Sequence, residues 1–194
     1  MSGQALAPSA RHIAARAFEG YLRAGDTAVD ATLGRGRDCA RLCELVGETG
    51  RVFGFDVQPQ ALVETRALLA QRGLLPRAGL FLMGHERMAE VVPPGVRLAA
   101  FNLGWLPGHD KRLTTRTDTT LQAVEAALAL LAPGGALVVC CYPGHPEGKR
   151  EQDAVEAFAR GLPPSLYLAL FHRFVNGGPG APSCLVVERL APAV

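Results

Sequence analysis

An asparagine stands where an apolar run gives way to a turn in Phe101-Asn102-Leu103-Gly104-Trp105-Leu106-Pro107-Gly108-His109-Asp110-Lys111. A primary amide at a strand end can accept a hydrogen bond from an amine and orient it. An enzyme that sets a nitrogen nucleophile in line with an electrophile needs such a group. In open α/β sheets ligands bind beyond the carboxyl ends of the strands, which is where this segment falls. A plain strand exit with Asn102 capping a turn would use the same residues. The segments upstream of Asn102 decide between the two.

The first of these is Asp30-Ala31-Thr32-Leu33-Gly34-Arg35-Gly36-Arg37-Asp38, at the end of an apolar strand. Gly34 and Gly36 allow a tight turn and close approach of backbone to a ligand. The dinucleotide fingerprint G-x-G-x-x-G is incomplete, because its third glycine position holds Cys39. Carboxylates at Asp30 and Asp38 suit a ligand with a cationic amino-acid tail better than a pyrophosphate. S-adenosylmethionine is therefore favoured over NAD, with Thr32 in the same turn. Asp56 follows Gly36 by about the 20 residues at which an acid meets ribose hydroxyls, and Gln58 adds a polar contact. Gly84-His85-Glu86 ends a third strand and faces the expected place of an adenine ring, although His85 and Glu86 would equally start a helix. His85 has no second ligand at metal-site spacing, so no metal is expected.

These residues need a scaffold that gathers strand ends, and the periodicity supplies one. Helical patterns over Ala10–Leu22, Asp38–Val46, Pro59–Arg72, Thr117–Leu131 and Glu151–Leu162 alternate with strands at Thr27–Leu33, Arg51–Val57, Gly79–Met83, Leu98–Phe101 and Ala136–Tyr142. Pro133-Gly134-Gly135 is expected to separate the fourth helix from the fifth strand. Two closing strands, Leu166–Phe174 and Cys184–Leu190, are joined by the Gly/Pro-rich stretch Asn176–Pro182, which predicts a hairpin. The expected fold is α/β: a Rossmann-like, seven-stranded, mostly parallel sheet with an antiparallel final strand and helices on both faces. That ending is associated with class I S-adenosylmethionine-dependent methyltransferases, whereas dehydrogenases usually end in another parallel crossover.

The 194 residues are expected to form one methyltransferase domain, with residues 1–24 as an N-terminal helical segment. The apolar fraction of 48% suits a compact core, and no stretch approaches the roughly 20 residues of a membrane span. No secretory pattern is visible at Met1–Pro8, and the five cysteines lack C-x-x-C spacing. Reduced, buried thiols in the cytoplasm follow, rather than zinc or disulfides. A net charge of +2 neither demands nor excludes nucleic acid.

Taken together, DATLGRGRD, FDVQ, GHE, FNLGWLPGHDK, TTRTDTT and YPGHPEGKRE resemble one bacterial family formerly labelled as rRNA methylases. Its characterised members are tRNA (5-aminomethyl-2-thiouridine) methyltransferases of the class I fold. The resemblance runs from about Gly25 to Glu188. It implies S-adenosyl-L-methionine as cofactor, tRNA (the anticodon stem-loop) as partner, and methylation of an exocyclic amine on the wobble uridine. Departures include Arg35 in place of the family's Asn, Cys39 in place of Thr, and Trp105 in place of Tyr. The tyrosine hydroxyl is lost with the last of these, while the stacking face is kept.

If the substrate is an aliphatic amine, it is mostly protonated at neutral pH and must lose a proton before it can attack. Asn102 and the carbonyls near Leu103 and Gly104 would accept hydrogen bonds from it. Asp110 and His145 are the candidate proton acceptors. Trp105 would stack on the base, and Tyr142 joins it as a substrate contact. Lys111 and Arg112, with Arg116, Lys149 and Arg150, are placed in loops on one rim where phosphates would lie. A homodimer is possible in such a fold. The competing readings are a methyltransferase for another RNA base or small-molecule amine, an NAD-dependent oxidoreductase, and a non-catalytic RNA-binding or nucleotide-binding module.

Overall fold

The computed structural model describes residues 9–105 and 114–191. Helix α1 (Ala10–Tyr21) is followed by β1 (Thr27–Asp30), α2 (Arg37–Val46), β2 (Arg51–Asp56) and α3 (Pro59–Gln71). Next come β3 (Ala78–Leu82), β4 (Val96–Asn102), α4 (Thr117–Leu130), β5 (Leu131–Cys141), α5 (Pro146–Arg160), β6 (Tyr167–His172) and β7 (Ser183–Arg189). Short 3-10 turns occupy Leu75–Arg77 and His85–Glu90.

The seven strands form one sheet in the order β3-β2-β1-β4-β5-β7-β6. The first five are parallel, and β7 runs antiparallel between β5 and β6, as the predicted hairpin requires. Alternation along the strands divides the core into two layers. Ala28, Leu98, Ala100, Val138 and Cys140 meet α1, α2 and α3 on one face. Val29, Phe55, Ala99, Phe101, Leu137 and Val139 meet α4 and α5 on the other. The central strands β1, β4 and β5 are covered on both faces, which explains why they read as continuous apolar runs, whereas edge strand β6 exposes Leu168 and Leu170. All five cysteines are free and buried. No helix among the described residues is long and apolar enough to cross a membrane.

Three expectations are corrected. The first strand ends at Asp30, because Ala31–Leu33 turns across the strand ends: Ala31 N–H reaches Ala100 O, and Leu33 N–H reaches Phe55 O. Pro133-Gly134-Gly135 does not separate α4 from β5. The chain passes straight from Leu130 into the strand, and the irregularity is absorbed as a register shift opposite Val96–Leu98. Finally, α5 starts at Pro146 and not near Glu151. Proline suits the first helical turn, and His145 provides the cap, so a stretch that looks like loop by composition is helix.

Strand order reverses between β1 and β4, since the chain goes outward to β3 and returns on the other side of β1. This switch point leaves a crevice at the carboxyl ends of the two strands.

Candidate functional site

A cavity of about 650 Å³ lies over that crevice. The glycine turn that floors it depends on backbone conformations open only to glycine. Gly36 caps α2 with φ +74°, and a Cβ there would lie 2.7 Å from Thr65 Oγ1. The turn therefore packs directly against α3, and its neighbours face the cavity.

Each edge of the cavity is pinned by hydrogen bonds. Asp56, at the end of β2, accepts from Gly34 N–H at 3.0 Å and from Gln58 N–H at 2.9 Å. Its carboxylate thus ties the glycine turn to the next strand end while keeping lone pairs for a ligand. Burial raises its pKa, and these backbone donors oppose the rise. Thr32 Oγ1 accepts from Asn102 N–H at 2.7 Å, bridging β1 and β4 across the switch point. The Asn102 side chain donates Nδ2 to Asp38 Oδ2 at 3.3 Å. A carboxylate only accepts, so the amide oxygen of Asn102 is the end left for another partner.

Asp38 is pushed above the usual carboxylate range by burial, against the opposing charge of Arg11 and the Asn102 hydrogen bond. Arg11, on α1, also lines the cavity, and among the described residues its guanidinium has no ion pair within 4.0 Å. An acid and a base thus face the same end of the cavity. At the other side, His85 donates Nδ1–H to Ala31 O at 3.1 Å. Burial lowers its pKa, so the ring is neutral and Nε2 is an acceptor. Glu86 and Gln58 share that wall.

The exit of β4 forms the remaining side. Gly104, with φ +117°, turns the chain toward Trp105. Its N–H donates to Thr115 Oγ1 at 2.8 Å, and its carbonyl accepts from Thr115 N–H at 3.0 Å. Thr115 in turn donates to Glu151 at 2.8 Å, and Thr120 donates to the other oxygen of the same carboxylate at 2.7 Å. Trp105 and His145 pack with ring centroids 4.6 Å apart, and both line the cavity with Tyr142. Burial raises the Tyr142 phenol pKa, so the hydroxyl stays protonated.

The cavity brings together Thr32, Gly34, Asp38, Asp56, Gln58, His85, Glu86, Asn102, Leu103, Trp105, Tyr142 and His145 from the sequence-derived set, and the turn at Gly36 supports it. Asp30 is different. It lies fully buried beneath the floor and does not line the cavity. One oxygen accepts from Thr32 N–H at 3.1 Å and the other has no partner among the described residues. Burial, reinforced by the Asp38 charge, pushes its pKa up to about 8.

His145, the rival candidate for proton acceptor, has a structural partner as well. Its Nδ1 accepts from Gly148 N–H at 3.2 Å as the cap of α5, and Nε2 is buried with no hydrogen-bond partner among the described residues. Lys149 and Arg150 sit on α5, not in a loop, and pair there with Asp153 and Glu147. Of the expected basic rim, Arg116 lines the cavity. Asp110, Lys111 and Arg112 lie outside the described residues.

Sequence reasoning missed Arg11, Thr115 and Glu151. The first belongs to an amphipathic helix whose docking site is not encoded locally. The last had a visible signal: Gly148, Glu151, Val155 and Ala159 form the buried stripe of α5, with a carboxylate at an apolar position.

Comparison with known proteins agrees with this geometry. Residues 52–188 match the model of the family described as "Putative rRNA methylase". The chain is 39% identical over 177 residues to the chloroplastic "tRNA (mnm(5)s(2)U34)-methyltransferase" of Arabidopsis thaliana. That match covers 86% of this chain, which spans 65% of the relative's length. A Clostridium thermocellum protein described as a "putative rRNA-methylase" superposes with TM-score 0.93 at 34% identity, covering 96% of this chain and 100% of the other. A Streptococcus mutans protein, "a putative methyltransferase", was solved "in complex with SAH"; it superposes with TM-score 0.87 at 31% identity, covering 95% and 100%. With the doubly wound sheet, the inserted antiparallel strand and the acid-lined glycine turn already established, these matches show that the chain belongs to this rRNA methylase family.

Proposed function

We propose that the protein is an S-adenosylmethionine-dependent N-methyltransferase acting on the aminomethyl group of 5-aminomethyl-2-thiouridine at the tRNA wobble position. The observation that carries the reading is the orientation of Asn102. Its NH₂ is committed to Asp38, so its oxygen is free to accept from a nitrogen nucleophile at the switch point. Support for the cofactor comes from the Streptococcus mutans relative described with SAH and from the donor set of the cavity. Asp56 suits ribose hydroxyls, Glu86 and neutral His85 suit the adenine edge, and the facing charges of Asp38 and Arg11 suit a zwitterionic amino-acid tail. When bound, the cofactor supplies a methyl group on a sulfonium. Support for the RNA substrate comes from the name of the Arabidopsis relative and from Trp105 and Arg116 at the cavity wall.

In this reading Asn102 Oδ1 and the carbonyl of Leu103 accept the amine's N–H groups and leave its lone pair aimed at the methyl. Trp105 stacks on the base and helps exclude water. Nucleoside mass spectrometry of tRNA lacking the methyl group, before and after incubation with enzyme and S-adenosylmethionine, tests the assignment. A gain of one methyl on aminomethyl-thiouridine is expected, and no gain there overturns the substrate. Asn102→Ala should still bind SAH by calorimetry yet lose about 100-fold or more in turnover, a loss typical of misplacing a reacting group. Wild-type turnover in that variant removes Asn102 from the role.

A further inference from the structure

Besides Asp30 beneath the cavity floor, Glu151 is a second fully buried carboxylate among the described residues, at 1% exposure, and no binding role accounts for it. Burying a carboxylate is costly without a compensating charge. No described Lys or Arg lies within 4.0 Å of it. Two threonine hydroxyls hold it instead, one of which, Thr115, lines the cavity beside Gly104. Thr115 Oγ1 has two lone pairs. Gly104 N–H uses one, and the second has no partner among the described residues.

We propose that Thr115 and Glu151 form the proton exit for the amine nucleophile, with Glu151 as terminal acceptor acting through the Thr115 hydroxyl. This rests on the reading of the substrate as an aliphatic amine. The ammonium gives a proton to Thr115 Oγ1 as the hydroxyl proton of Thr115 passes to Glu151 Oε2. The neutral amine then forms the N–C bond while the S–C bond of the sulfonium breaks, with its electron pair staying on sulfur. The product is a secondary ammonium, and the proton held by Glu151 returns to solvent through Thr115 when the RNA leaves. One proton is released per methyl transferred, so charge and atoms balance.

The surroundings favour an acceptor. Burial raises the Glu151 pKa, the Thr120 and Thr115 hydrogen bonds oppose the rise, and the charge of Glu147 on the same helix adds to it. Cys141, from β5, also faces the carboxylate and is a neutral thiol, its pKa raised to about 12 by burial. The group therefore has higher proton affinity than a surface glutamate, as an acceptor from an amine requires.

The test compares Glu151→Gln, Thr115→Val and Thr115→Ser with wild type on an anticodon stem-loop carrying the aminomethyl group. Glu151→Gln and Thr115→Val should lose about 100-fold or more in kcat at neutral pH, the range for general base catalysis. Both should recover progressively as pH rises and the amine deprotonates by itself. Thr115→Ser should keep most activity, and SAH affinity should be unchanged in all three. Infrared difference spectra of the SAH complex give a readout independent of turnover. A protonated-carboxyl band should appear in wild type on adding the aminomethyl stem-loop, and be absent with a hydroxymethyl analogue or in Glu151→Gln. A wild-type pH profile in Glu151→Gln, or a missing band in wild type, overturns the proposal. Should Glu151→Gln unfold, Thr115→Val alone decides. Failure of wild type to methylate the aminomethyl group at all would instead overturn the substrate reading.

Discussion

Arg11 shows how one side chain can set ligand selectivity without any motif. Its guanidinium stands near Asp38 without a close ion pair among the described residues, so a zwitterion between them would satisfy both charges. A carboxylate gains bidentate hydrogen bonds from arginine that lysine cannot match. Arg11→Ala should weaken SAH about 10-fold or more in calorimetry, in line with a charge-assisted hydrogen bond of roughly 1.5–3 kcal/mol. Methylthioadenosine, which lacks the amino-acid tail, should bind the variant and wild type alike. Equal loss for both ligands would mean that Arg11 supports the fold of the cavity and not the tail. Asn102 works by the same logic of committed partners: with its NH₂ donating to Asp38, its acceptor oxygen is the end left for a ligand.

At the scale of elements, the start of α5 serves two purposes. His145 caps the helix through Gly148 N–H, and its ring supports Trp105. A Cβ at position 148 would collide with the carbonyl of Tyr142, so helix, cap and cavity wall fit only with glycine there. His145→Ala should cost about 1 kcal/mol of stability in chemical denaturation, as for other lost caps, whereas His145→Asn should keep the cap. The pH dependence of kcat should have its wild-type shape in both. Loss of the acidic limb in His145→Asn would return His145 to the proton-handling role and displace Glu151. The buried stripe of α5 then carries Glu151 across to α4 and the β4 exit, joining three elements through two hydroxyls.

For the molecule as a whole, Asp30 couples the floor of the cavity to stability. Its folded pKa is about 8 against 3.8 for the unconstrained side chain, chiefly because it is buried. Between these values the unfolded chain binds fewer protons than the folded one, so stability falls as pH rises through about 4 to 8. Asp30→Asn keeps the acceptor for Thr32 N–H and removes the titration. In the ligand-free protein its melting temperature should exceed that of wild type at pH 8–9 by more than at pH 5. A gain of about 1 kcal/mol corresponds to roughly 2–4 °C for a chain of this size. A difference that does not change with pH would show that Asp30 titrates alike in both states.

Much of this architecture is legible in the sequence. Alternating helices and apolar strands, with a closing hairpin, imply the parallel sheet and its antiparallel insertion, because crossover and hairpin lengths are local properties. Asp38, Asp56, His85 and Asn102 were legible for a related reason: each lies at a strand end or the helix start that follows, and the fold sends all of these to one crevice. Chain pattern alone did not reveal that Asp30 lies under the cavity instead of in it, that His145 is a cap, or that Lys149 and Arg150 pair along α5. Nor did it reveal Arg11, Thr115 and Glu151. Their significance depends on contacts between residues far apart in the chain, such as Thr115 and Glu151, and on which lone pairs those contacts leave free. Periodicity records which face of an element is buried; only packing decides what each buried polar atom meets there.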